Sequence, residues 1–330
     1  MLIDVHNHFY PPSYLDAIGG GDSIVKLTVD TEGNPCLHYP GDYNVAVLGH
    51  RDIDYRQQVI EREGVDTQVI TLTTPGTHVE PPERAVRLAR LVNDSFAAIV
   101  RERSPRFTAL ATLPLCDPQA SVTELRRAMA ELHLPGAMLF SNVNGVALAD
   151  SRFDSLYAEA NRLGAVLHIH PTDPVGVEAM TDYWLMPLVG FLFDTTLAAA
   201  KLVFAGIPER YPDIKWVLSH LGGAIPYLAE RLDRGWRAFP DCRVNIDHPP
   251  SDYLRRFYFD TVNFDPNALR LAVDFAGASQ ILAGSDYPHQ IGSIPLMKES
   301  LAALKVSARE RELITGVNAQ TLYGVAASAA

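Results

Sequence analysis

Apolar runs of five to seven residues alternate along this chain with longer segments whose apolar positions recur at helical spacing. The runs are LIDVH (2–6), TQVITLT (67–73), FTALATL (107–113), GAMLF (136–140), AVLHIH (165–170), KWVLSH (215–220), RFYFDT (256–261) and QILAGS (280–285). The segments between them include PPERAVRLARLVNDSFAAIVRERS, DPQASVTELRRAMAELH, SRFDSLYAEANRLG, GGAIPYLAERLDRGW and PNALRLAVDFAG. Several open on Pro or a capping Asp and close on Gly, as helices do. Strands alternating with helices build parallel βα units, and eight such units close a (β/α)8 TIM barrel. The fold class expected is therefore α/β, one domain over residues 1–330. Residues from about 10 to 52 fit neither pattern, being rich in Gly, Pro, Asp and aromatics. They read as a small insertion after strand 1, expected to cover the barrel mouth.

Composition supports one large core: 47% of the 330 residues are hydrophobic. With 28 Lys and Arg against 39 Asp and Glu, the net charge is −11, and no basic cluster could neutralise a row of phosphates. Nucleic acid is excluded as an expected partner. The start of the chain has no signal-like segment, and no run reads as long and uncharged enough to span a bilayer, so the expectation is a cytoplasmic protein without membrane association. Cys36, Cys116 and Cys242 are too few and too scattered for a disulfide framework or a thiolate metal site.

Polar residues at strand ends carry the chemistry in such a barrel, because the active site lies at the C-terminal ends of the strands. His6 ends the first predicted strand, with His8 two residues on and so on the same face. His170 ends the fifth, His220 the sixth, and Asp286 follows the eighth. A lone His-x-His is weak by itself, but its neighbours at other strand ends make it half of a metal site. His168 lies deeper in its strand and reads as a hydrogen-bonded core histidine. His38, His50, His78, His133 and His248 fall in loops or helix ends and are expected to be solvated.

DVHNHF, HIHPTDP (168–174), LSHLGGAIPY (218–227) and LAGSDYPH (282–289), in that order, resemble the amidohydrolase-related decarboxylases typified by aminocarboxymuconate-semialdehyde and γ-resorcylate decarboxylases. The resemblance spans nearly the whole chain. It implies that His6, His8, His170 and Asp286 are metal ligands and that His220 is a catalytic histidine beside the metal; the acid that losing CO2 requires at the metal's edge has two candidates, His220 and Asp286. It also implies a homodimer. Histidine at both positions of the opening doublet points to the aminocarboxymuconate-semialdehyde side of the group. Binuclear members need a bridging lysine at the end of strand four, and GAMLFSNVNG has neither Lys nor Glu, so one ion is expected. Three imidazoles and a carboxylate suit Zn2+, with Mn2+ compatible by ligand type.

The function implied is non-oxidative decarboxylation of a small aromatic or unsaturated carboxylic acid. A metal-dependent hydrolase or hydratase acting on an amide, ester or lactone would use the same shell. A catalytically dead barrel is disfavoured because every ligand position is filled. For the substrate, Arg51 is the candidate carboxylate clamp. Trp184 and Phe191, with Tyr183 and Phe193, stand in an apolar segment that could wall an unsaturated substrate or bury itself in a dimer interface.

Overall fold

Several helix boundaries follow from a local signal. The computed structural model describes residues 1–21 and 23–325. Asp117 caps the helix Pro118–Ala130 by accepting from Ala120 N, and Asp265 caps Pro266–Ala276 through Asn267 N and Ala268 N. Gly64 and Gly164 end the helices Ile53–Glu63 and Asp154–Leu163 in the left-handed conformation that only glycine takes without cost.

The strands in chain order are β1 (Ile3–His8), β2 (Lys26–Val29), β3 (Pro35–Tyr39), β4 (Asp42–Val45), β5 (Thr67–Thr71), β6 (Phe107–Ala109), β7 (Ala111–Thr112), β8 (Gly136–Phe140), β9 (Asn142–Val143), β10 (Val146–Ala147), β11 (Val166–His170), β12 (Lys215–Leu218), β13 (Tyr258–Asp260) and β14 (Ile281–Leu282). β1, β5 and β6 form one parallel ladder, and β7, β8, β11, β12, β13 and β14 another. β6 and β7 are separated only by Leu110, whose N–H donates to Ile70 O at 3.1 Å. At the other seam Val5 N donates to Ala283 O and Asp286 N to His6 O, which sets the last strand beside the first. The fold is the TIM-type α/β arrangement, with the predicted strands present but mostly shorter. β12 stops at Leu218, so His220 sits two residues past its strand, in the turn His220–Gly222.

The insertion is more ordered than its composition suggests. It holds the helix Pro12–Ile18, the antiparallel sheet β2–β3–β4 and the short helix Leu48–Arg51. A buried carboxylate pins it down: Glu80 accepts from Ser23 Oγ, Ile24 N and Val25 N.

The apolar residues form one large cluster of buried side chains, including Phe96, Phe107, Phe153, Leu202 and Trp216. A second cluster of Ile3, Val5, Val69, Val166, Val217 and Leu282 is packed by Ala319 and Tyr323 of the helix Asn318–Tyr323. One apolar run departs from the sequence reading. Met186–Phe204 is helical over 19 residues and is long and apolar enough to cross a bilayer by length and composition. In the sequence Pro187, Gly190, Asp194 and Lys201 interrupt it; in the structure it joins the π-helical turn Met186–Gly190 to the helix Phe191–Phe204. Ala198, Ala199, Leu202 and Val203 bury one face of it in the core, as a core helix does.

Candidate metal centre

In each of three histidines a neighbour holds one ring nitrogen, Nδ1, and leaves Nε2 for another partner. His6 Nδ1 donates to Asp260 Oδ2 at 2.5 Å. His170 Nδ1 lies 2.8 Å from Pro171 O, a carbonyl that can only accept, so this nitrogen carries the proton. His8 Nδ1 lies 3.0 Å from Thr71 Oγ1, and that hydroxyl has already given its hydrogen to Asn7 O. His8 must donate there too. All three Nε2 lone pairs are left for something else. His6 and His8 Nε2 are 3.2 Å apart and stand 3.4 and 3.2 Å from Asp286 Oδ1, while His170 Nε2 is buried with no hydrogen-bond partner among the described residues. Converging lone pairs beside a carboxylate, each ring oriented by an outer hydrogen bond, are what a divalent cation requires.

His6, His170, His220 and Asp286 each present a ligand atom within one sphere of 4.8 Å, and His8, Asp286 and His289 do so in an adjoining group. His220 differs from the other three in one respect. Its Nε2 is 3.8 Å from Asp286 Oδ2, and its buried Nδ1 has no hydrogen-bond partner among the described residues, so no outer hydrogen bond holds the ring. A ring free to carry its proton on either side is suited to moving one.

The backbone is strained where the chemistry is concentrated. His220, Leu221 and Asp286 have φ of 53°, 57° and 57°, in the left-handed region that non-glycine residues avoid. Asp260 offsets that cost by accepting from His220 N, Leu221 N and Val262 N at 3.0–3.1 Å, besides His6. Gly292 makes the Asp286 turn possible, since a Cβ there would meet Asp286 O at 2.0 Å.

Beneath the site Arg56 is fully buried and has four acceptors: Gly49 O, Asn7 Oδ1, Gln68 Oε1 and His8 O. Gln68 in turn donates to Asp4 Oδ2, which also accepts from Ser285 Oγ. The network ties β1, β5, the insertion and the Asp286 loop into one block. Burial pulls the Arg56 pKa down to about 10.

Burial would lower the pKa of His6, but Asp260 and Asp286 outweigh it and push it up to about 10. A cation would displace the proton those carboxylates favour. Burial drives His8 and His170 well below the ordinary histidine value, leaving both neutral and able to ligate. Burial also takes His168 down to about 3; its Nε2 meets Ser219 Oγ at 3.1 Å, and it stays neutral within the barrel.

A cavity of about 370 Å³ opens onto His170, His220 and Asp286. Trp184 and Phe191 line it, whereas Tyr183 and Phe193 point away, 86% and 56% exposed. Arg51 is not part of the wall. Its guanidinium bonds Ala46 O at 3.0 Å and Asn34 Oδ1 at 3.3 Å, knitting the insertion instead of reaching a substrate. His38, His133 and His248 are exposed as expected, but His50 and His78 are buried. His50 packs between Tyr10 and His289, and His78 against Phe140. Sequence reasoning also missed Asp260, His289 and Arg56. Asp260 had a usable signal, an acidic residue near the end of a strand, and His289 closes the LAGSDYPH motif; His50 had none, since a short helix of the insertion brings it to the site.

The amidohydrolase family model matches residues 3–325. A 2-amino-3-carboxymuconate-6-semialdehyde decarboxylase from Dictyostelium discoideum is 35% identical, with 98% of this chain and 92% of that protein aligned. A 6-methylsalicylic acid decarboxylase from Penicillium expansum is 31% identical, with 87% and 85% aligned. Among solved structures, a dihydroxybenzoic acid decarboxylase from a Polaromonas species, with bound manganese and the inhibitor 2-nitroresorcinol, superposes with a TM-score of 0.82. It is 25% identical, with 98% of this chain and 96% of that one covered. The chain belongs to the amidohydrolase family.

Proposed function

We propose that the protein is a metal-dependent, non-oxidative decarboxylase of a small aromatic carboxylic acid. The observation that carries the reading is the set of Nε2 atoms of His6, His8 and His170 converging beside Asp286 at one end of a cavity walled by Trp184 and Phe191. These four residues would hold one divalent ion, Zn2+ by ligand type. Mn2+ is the second reading, favoured by the manganese in the Polaromonas structure. A bound cation would supply positive charge to grip and orient the substrate carboxylate.

The rest of the chemistry falls to the chain's own groups. His220 delivers a proton to the ring carbon that bears the carboxylate. The carbon–carbon bond then breaks, CO2 leaves, and the bonding pair returns to the ring and restores its aromaticity. Trp184 and Phe191 hold the ring edge and exclude water from the protonated carbon. Asp260 fixes His6 and the backbone of His220, so the donor and the metal ligands keep their separation.

The reading extends to a homodimer. Tyr183, Trp184, Leu188, Val189, Phe193 and Leu197 form an exposed apolar strip that a second copy would cover. The chain's three free thiols suit a reducing compartment such as the cytoplasm.

The test is His220→Asn in metal-loaded protein, with CO2 release followed on hydroxybenzoates and cleavage on esters, lactones and amides. The expected result is unchanged metal content with kcat lower by about 10²–10⁴-fold. Metal loss would make His220 a ligand, and hydrolysis in place of CO2 release would reject the decarboxylase.

A further inference from the structure

The cavity wall carries no lysine and no arginine among the described residues, yet includes the carboxylates of Asp30, Glu32 and Asp42. The two arginines nearest in sequence are engaged elsewhere: Arg51 bonds within the insertion, and Arg56 is buried with its donors committed to neutral acceptors. A substrate with one carboxylate can place it on the metal site. A second carboxylate would meet only acidic and neutral groups, and an unpaired anion in such a pocket is costly.

Two groups on the same wall wait for a different partner. His50 is 1% exposed and neither ring nitrogen has a hydrogen-bond partner among the described residues. Thr73, fully buried, has a hydroxyl with no hydrogen-bond partner among the described residues. Both line the cavity. Buried polar groups left unpaired in a fold are normally completed by water or ligand. An imidazole and a hydroxyl can each donate and accept, which matches a neutral phenolic hydroxyl; a carboxylate would use only their donors and would find no lysine or arginine on the described wall to neutralise it.

We infer that this pocket selects aromatic acids with a single carboxylate and a neutral ring hydroxyl, read by His50 and Thr73, and rejects dicarboxylic acids. The inference rests on the decarboxylase reading and narrows it, away from the dicarboxylic substrate named for the Dictyostelium relative.

The test compares salicylate, benzoate and 4-hydroxyisophthalate on metal-loaded protein, by CO2 release and by calorimetric binding. The expected kcat/KM for 4-hydroxyisophthalate is about 10²-fold or more below that for salicylate, and benzoate is weakened to a similar degree. His50→Phe and Thr73→Val should each shrink the preference for salicylate over benzoate, so a folding failure of one leaves the other to decide. Val47→Lys, or Ile291→Lys at a 57% exposed wall position, should raise 4-hydroxyisophthalate about tenfold and leave benzoate less changed. Wild-type protein that handles the dicarboxylate as well as salicylate, for instance through a cation supplied by a second copy, overturns the inference. If no acid releases CO2, the decarboxylase reading fails by itself. Binding then judges the pocket: tighter salicylate sustains the selection, and equal affinities reject it.

Discussion

Asp260→Asn exchanges one oxygen for an NH2 group without changing shape, in a carboxylate that faces only donors. Oδ1 accepts from Leu221 N and Val262 N, and Oδ2 from His220 N and His6 Nδ1. An amide must therefore oppose a donor whichever way it turns. With its oxygen kept on Leu221 and Val262, its NH2 faces His220 N–H and His6. The backbone N–H of His220 loses its acceptor, which for a buried donor costs about 1–3 kcal/mol. His6 can respond only by shifting its proton from Nδ1 to Nε2, the atom it would offer to the cation. Loss of such an outer-sphere partner typically lowers metal affinity about 10–100-fold. The assays are metal titration by calorimetry, metal content of purified protein, and thermal unfolding without metal. Weaker metal binding together with a lowered melting temperature is expected. Unchanged metal affinity in Asp260→Asn would show that the His6 tautomer is not set by Asp260 and would undo the argument for converging lone pairs.

His170→Ala removes a proposed ligand that adds nothing to the core cluster, so metal content and turnover should fall together while the circular dichroism spectrum stays native. Retained metal with full turnover would promote His168 in its place. Burial first, and then Asp173, push the Asp42 carboxyl up from 3.8 to about 6. The fold thus favours the protonated form, and stability should fall as pH rises from about 4 to about 6. Asp42→Asn should flatten that decline in denaturant melts, and an identical pH profile would contradict the assignment. Light scattering at micromolar concentration should give twice the mass of one chain, and Phe193→Ser, on the exposed apolar strip, should shift the population toward monomer.

The fold class was legible in this sequence because periodicity and punctuation are local. Val, Ile and Leu runs bounded by Gly, Pro and Asp name strands and helix ends wherever they occur, and Asp117, Asp265, Gly64 and Gly164 stand where their chemistry puts them. The placing of this polar set toward the strand ends was legible for the same reason: His8 and His170 end their strands and His220 follows its own by two residues, although His6 lies inside β1 and not at its end, and Asp286 stands four residues past β14. The barrel carries all strand ends to one face, so position along the chain translates into position in space. Long-range geometry was not legible. That Asp260 lies 2.5 Å from His6, 254 residues earlier in the chain, follows only from closing the barrel. That Arg51 bonds Asn34 while Arg56 sinks beneath the site depends on how the insertion docks, since both belong to the same short polar segment. His50 and His78 read as loop histidines and are buried because aromatic neighbours from distant segments close over them. Local sequence determined which elements form and which end of each bears chemistry. Burial, hydrogen-bond partners and ring tautomers were decided by the tertiary structure, because each depends on groups brought together from far apart in the chain.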